Sequence, residues 1–480
     1  MTIRHSLIAC VICAATLGAQ APDRSKPPVP GPAPALKLPA VQKRHLTNGL
    51  PVWIVELHEV PVVQVNLVVT SGSADDPAGK YGVASMTAAM LQNGAGSRSS
   101  LDIADAIDFL GASLDTTGGS DVTAVRLHTP VARLADALPI MADVALRPAF
   151  PKDELERLRQ DRLTSIIQAR KDPGSIAGLA FSRVLYGTDH RFGTAIMGTA
   201  GTIRAMTGDD LRAFYTARFR PANATLIVVG DIAPNTVLPL LETHFAKWKP
   251  LGAAPPHVTF PEPRAAGPRE VFLVDMPGAP QSQIRIGCVG VPRSTPDFFP
   301  IQIMNTVLGG AFSSRLNMNL REDKGYTYGV SSVFDMRVAA GPFSAAAGVQ
   351  TDKTAESLKE FFKELNGILQ PIPAEELTRA KNYVALRFPE RFETTGDISA
   401  NLENLLLYHL PDDYFSNYVQ NIQSVTAADA QRVAQKYILP DRLAVVVVGD
   451  QKVIEPGIRA LNLGPVRSLT IEEIFGPAPR

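Results

Sequence analysis

Arg321 and Tyr328, seven residues apart, are the side chains of this chain best suited to act together on one reacting atom. A guanidinium donates several hydrogen bonds and keeps its charge; a phenol donates one more. Aimed at the same carbonyl oxygen, the two would stabilise negative charge developing there. The stretch that carries them, GGAFSSRLNMNLREDKGYTYGV from Gly309 to Val330, predicts a helix feeding a strand. Phe312, Leu316 and Leu320 form one apolar stripe at helical spacing, with Ser313 or Ser314 available as the cap. Lys324 and then Gly325 stand where a helix C-terminus favours a cation followed by a residue free to take positive φ. Tyr326, Tyr328, Val330, Ser332 and Phe334 then alternate with Thr327, Gly329, Ser331 and Val333, the period of a strand. Arg321 is thus expected in the last helical turn and Tyr328 on the strand beyond the bend. The local pattern equally admits a surface arginine and a half-buried tyrosine.

The elements that must hold this pair belong to a large chain. Its 480 residues exceed what one hydrophobic core usually organises, so at least two domains are expected. Lys and Arg together number 47, as do Asp and Glu, and no basic stripe suggests nucleic acid as a partner. None of the eight histidines is paired with another at helical spacing, and neither HxxEH nor HExxH occurs. His58 and Glu59 are adjacent at a predicted strand end with opposed side-chain directions, a poor metal site.

Residues 1–21 read as a secretory signal peptide: Arg4 and His5, the apolar run Leu7 to Leu17, then Ala19-Gln20-Ala21 as a cleavage site. The run is too short for a membrane anchor. Export to the periplasm or medium is expected, with Cys10 a weak candidate for lipidation. Cys10 and Cys13 would leave with the signal, so Cys288 alone remains and no internal disulfide can form. Residues 22–43 are a Pro-rich tether.

An internal repeat organises the rest. VWIVELHEVPVVQVNLVV from Val52 matches VFLVDMPGAPQSQIRIGCVG from Val271, and LIVVGD ending at Asp231 matches VVVVGD ending at Asp450; both offsets are 219 residues. PKDELER at Pro151 matches PAEELTR at Pro373, offset by 222. The chain is therefore expected to be α+β, two tandem copies of a domain with helices on a mixed sheet. The expected boundaries are 44–248 for the first domain, 249–269 for a Pro-rich linker, 270–470 for the second domain and 471–480 for a tail. Each copy should open with two strands in a hairpin or meander.

The segment LGGAFSSRL followed by LREDKGYTYGV resembles the second-half signature of the pitrilysin/insulinase family of zinc peptidases, short bacterial type, akin to the mitochondrial processing peptidase subunits. DDLRAFYTARFRPANATLIVVGD in the first half resembles the same family, and the likeness spans roughly residues 44–465. The resemblance implies that Arg321 and Tyr328 engage the substrate backbone and stabilise a tetrahedral intermediate. It also implies that a chain of this length forms half of a clamshell. In the family the first half carries HxxEH on a helix, two histidines binding zinc and the glutamate activating water. Aligning Gly82-Val83-Ala84 with the start of that motif puts Ser85 at the first histidine, Ala88 at the glutamate and Ala89 at the second histidine. The third ligand would fall within Thr164 to Gln168, where no carboxylate stands. The resemblance thus implies an exported, non-catalytic subunit that binds no metal itself. It would supply Arg321 and Tyr328 in trans to an HxxEH-bearing homologous partner, which holds the zinc, and the pair would act on unfolded peptides. The alternative is an inactive structural or peptide-binding homologue without a peptidase partner.

Overall fold

The run Leu226-Ile227-Val228-Val229 has no polar alternate position, the pattern of a strand covered on both faces. In the computed structural model, which describes residues 31, 40–249, 252, 256–263 and 267–479, this run lies in a completely buried strand. The expected signal segment and most of the expected tether lie outside the described residues.

Among the described residues twelve strands form two six-stranded sheets. The first holds β1 (Gln42–His45), β2 (Pro51–Glu56), β3 (Val62–Val69), β4 (Ser113–Gly118), β5 (Thr123–Pro130) and β6 (Ala224–Gly230) in the order β1-β2-β6-β3-β5-β4. The second holds β7 (Glu270–Asp275), β8 (Gln281–Val289), β9 (Val330–Phe334), β10 (Pro342–Gln350), β11 (Ala444–Gly449) and β12 (Val466–Leu469) in the order β12-β7-β11-β8-β10-β9. The repeat holds to the residue at the sheet centres. Val52 pairs with Leu226 as Val271 pairs with Val445, and Val65 opposes Val228 as Ile284 opposes Val447, all displaced by the same 219 positions.

Two strand expectations need correction. The opening strands of each copy are not a hairpin, because the closing strand inserts between them: β6 runs parallel to β2 and antiparallel to β3, and β11 treats β7 and β8 alike. An all-aliphatic strand gains most where both neighbours and both faces exclude water, so it takes the central place. The strand expected from Tyr326 begins only at Val330, as β9.

The halves are also interlocked. Helix Thr395–Leu407 of the second half packs on β3 and β6, while helix Pro173–Tyr186 of the first half packs on β8 and β11. Alternate residues of β6 consequently serve different cores: Leu226 and Val228 join that of the first half, Ile227 and Val229 that of the second. Glu403 on the visiting helix ties the exchange down. It accepts from Arg126 of β5 through both oxygens, at 3.1 and 2.6 Å, and from Asn66 of β3 at 2.8 Å. No helix among the described residues is long and apolar enough to cross a membrane.

Candidate functional site

Arg321 sits on a helix that is not the regular α-helix its spacing predicts. A single α-turn, Arg315–Asn317, runs into a π-helical segment, Met318–Asp323, with Ser314 at the N-cap position but no side-chain capping bond. A second π segment, Thr306–Gly310, precedes it. Such wide turns insert a residue and re-aim the side chains that follow, and they are enriched at functional sites. Leu316 and Leu320 are fully buried as expected, whereas Phe312 lies outside the helix and is 57% exposed. Its ring instead lies under the Arg321 guanidinium, 4.8 Å away. Arg321 Nε also pairs with Glu322 at 3.2 Å.

Glycines fix the geometry at both ends. A Cβ on Gly309 would come within 2.5 Å of the Ser332 amide, so the Gly-Gly pair lets the helical segment lie directly against β9. Gly325 adopts φ +65°; its amide donates to the Arg321 carbonyl at 3.1 Å and the Tyr326 amide to Leu320 at 2.9 Å, ending the helix where Lys324-Gly325 predicts.

Tyr328 is not on a strand. It lies in the irregular segment between Gly325 and β9, 91% exposed, and among the described residues its hydroxyl has no hydrogen-bond partner. The segment is nonetheless pinned: Thr327 Oγ1 lies 2.7 Å from the Gly348 carbonyl and accepts from the Gly329 amide at 3.1 Å, while the Gln350 amide donates to Tyr326 at 3.2 Å. Arg321 thus sits half-buried on the helical segment and Tyr328 exposed on the short, anchored connection that follows it. No shared acceptor joins them among the described residues. The half-buried tyrosine admitted by the local pattern does not occur.

The first-half positions lie on helix Val83–Met90, with Ala88 buried and Ser85 and Ala89 half-buried. The frame around this helix is complete. Asp76 accepts from the amides of Gly82 at 2.6 Å and Ala84 at 2.8 Å, closing the helix N-terminus, and from Arg191 Nε at 2.9 Å. Arg191 donates as well to the carbonyls of Ser73, Thr194, Ala195 and Ile196, fastening the loop after helix Pro173–Tyr186 to the turn before helix Val83–Met90. Both members of this ion pair are buried, and burial pushes the Asp76 carboxyl up against the pull of Arg191 and the two amides. Next to it Asp75 accepts from the Val258 amide at 3.1 Å and meets His257 at 3.0 Å, which docks part of the linker segment onto the same turn.

The donor set itself does not suit zinc. A serine hydroxyl and two methyl groups replace two imidazoles and a carboxylate, and the facing window Thr164 to Gln168, on helix Lys152–Ala169, offers hydroxyls, an amide and isoleucines. Among the described residues no group of three His, Cys, Asp or Glu side chains could hold a metal ion. Sequence reasoning passed over Arg162, whose Nη2 donates to the Ser85 carbonyl at 2.8 Å. Its signal was a cation one helical turn before Ser165 and Ile166, within the third-ligand window, at the spacing that shares a face.

Comparison with known proteins places both halves in one group. Residues 52–182 match the family model described as Insulinase (Peptidase family M16), and residues 205–384 match that described as Peptidase M16 inactive domain. An uncharacterized zinc protease of Mycobacterium leprae is 28% identical over 353 residues, covering 73% of this chain and 78% of that protein. The crystal structure of a peptidase M16 inactive domain from Pseudomonas fluorescens superposes with a TM-score of 0.78 at 28% identity, covering 85% of this chain and 98% of that one. A protease from Helicobacter pylori, at 22% identity, has the same fold, with a TM-score of 0.79 over 86% of this chain and all of that one.

Proposed function

Because this chain belongs to the pitrilysin/insulinase family, in its short bacterial form, we propose that it is the Arg/Tyr-bearing, non-catalytic subunit of a two-chain zinc endopeptidase. The observation that carries this reading is the contrast between its two candidate sites. Tyr328 stands 91% exposed and unpartnered on an anchored connection beside Arg321, while the metal-motif helix keeps its frame and has lost every ligand. An exposed phenol on a pinned backbone is placed to meet something outside the chain. In this reading each copy of the fold contributes to half of a clamshell, an HxxEH-bearing homologous chain supplies the other half and the zinc, and unfolded peptides enter between them. Arg321 and Tyr328 then donate to the carbonyl oxygen under attack, where their bonds strengthen as charge accumulates. A cleaved signal over residues 1–21 and action in the periplasm or outside the cell complete the proposal.

Arg321 is already paired with Glu322 and stacked on Phe312, which favours a second reading, a peptide-binding homologue with no peptidase partner. The two separate on Tyr328→Phe in the assembled pair. The first expects kcat to fall on the order of 10²–10³ with peptide affinity little changed, the effect of losing one oxyanion donor. Unchanged kcat in a complex that still forms would rule it out. Tyr326→Phe is the control, since Tyr326 is half-buried and its backbone, not its hydroxyl, meets Gln350.

A further inference from the structure

The metal-motif helix is not merely short of ligands. Arg162 projects from helix Lys152–Ala169 onto it, and its Nη2 holds the carbonyl of Ser85 at the first histidine position. Its Nη1 is buried and has no hydrogen-bond partner. The one carboxylate whose field reaches it is Asp76, whose oxygens are taken by Arg191 and the amides of Gly82 and Ala84. Burial pushes the guanidinium down to about 10, so it remains charged at neutral pH. Strand backbone also approaches the helix at Ala88. Gly118, the last residue of edge strand β4, approaches so closely that a Cβ built on it would lie 3.1 Å from the Ala88 Cβ and 3.3 Å from the Ser85 Cα. A side chain longer than alanine at 88 would meet strand backbone, whereas positions 85 and 89 are half-buried.

We propose that Arg162 gives the former metal position its own fixed positive charge, which excludes divalent cations even when the histidine pair is restored. A dication set beside a half-buried, incompletely paired guanidinium meets repulsion that its surroundings screen only in part. The inference rests on the alignment used for the proposed function, but it concerns this chain alone. It survives if no partner peptidase is ever found.

The test restores the histidine pair, Ser85→His with Ala89→His, in the chain without residues 1–21, with Arg162 intact or changed to Met or to Gln. Zinc is counted by elemental analysis after gel filtration and its affinity read by competition with a chromogenic chelator. Circular dichroism and the urea midpoint select the Arg162 variant that keeps the fold; Gln is the smaller lesion if Met fails. With Arg162 present the pair should retain no stoichiometric zinc. Without it affinity should rise by about tenfold or more, the scale expected for removing one unit charge near a bound dication. Stoichiometric zinc in the Arg162-containing chain overturns the proposal, and so does equal affinity in the two backgrounds.

Discussion

The two halves begin from one strand order and one register, yet spend their polar groups differently. In the first, charge is buried to hold a helix: Asp76 and Arg191 are an enclosed ion pair, and Arg162 is a half-buried cation with one nitrogen buried. In the second, Asp297 stands before the corresponding opening helix, Phe298–Asn305, and takes Arg432, Lys436 and the Tyr437 hydroxyl, partners that reach it from the surface. Tyr328 and Arg321 are left outside. The comparison teaches that losing a site's ligands need not loosen its scaffold. The half in which positions 85, 88 and 89 carry no metal-binding side chain is the one with the more deeply fixed polar frame.

The largest break in that contrast should come from Arg191→Leu. It leaves Asp76 buried without its counter-ion and releases four carbonyls, and should cost about 3–5 kcal/mol in urea unfolding. A loss under about 1 kcal/mol would mean that the frame is ornamental.

Glu403→Ala probes what joins the halves. Removing a carboxylate that Arg126 grips through both oxygens should cost about 1.5–3 kcal/mol, since charged hydrogen bonds are lost and Arg126 is only partly exposed. Restoring stability by adding Arg126→Met would show that the unpaired cation, more than the lost packing, carries the penalty.

Asp297→Asn should be milder and pH-dependent, about 1 kcal/mol at neutral pH, because Arg432 and Lys436 are half exposed. Burial raises the Asp297 carboxyl, but the bonds from Arg432, Tyr437 and Lys436 outweigh it and hold it well below the ordinary aspartate range. Its folded value being depressed, its contribution is complete above the unfolded value of about 3.9 and fades as pH falls through the folded one. Wild type and variant should therefore keep the same gap in urea midpoint from neutral pH down to about pH 4 and converge only as the pH falls further. A gap that widens on acidification would reverse the assignment.

The smallest effect should be that of Tyr328→Phe on stability, within about 0.5 kcal/mol by the same unfolding measurement, because a 91% exposed phenol without a partner contributes nothing to folding. A larger loss would return Tyr328 to a structural role and weaken the contrast between the halves.

The sequence by itself determined the two-copy α+β architecture, the 219-residue displacement, the helix end at Gly325 and the emptiness of the zinc motif. These follow from local chemistry: aliphatic runs need cover on both faces, positive φ favours glycine, and alanine cannot ligate a metal. It placed Arg321 within a residue or two of its helical turn but put Tyr328 on a strand, since Tyr-Thr-Tyr alternation has the right period and gives no sign that Gly325 and Gly329 leave the segment irregular. Tertiary structure alone decided that β6 and β11 enter between the opening strands, that the halves exchange helices, and that Arg162 reaches Ser85 from 77 residues away. Periodicity reports which face of an element is apolar, not which neighbour will cover it. That choice is made by whichever distant surfaces bury the most area together, so the partners of β6 and the destination of a buried guanidinium are properties of the assembled chain.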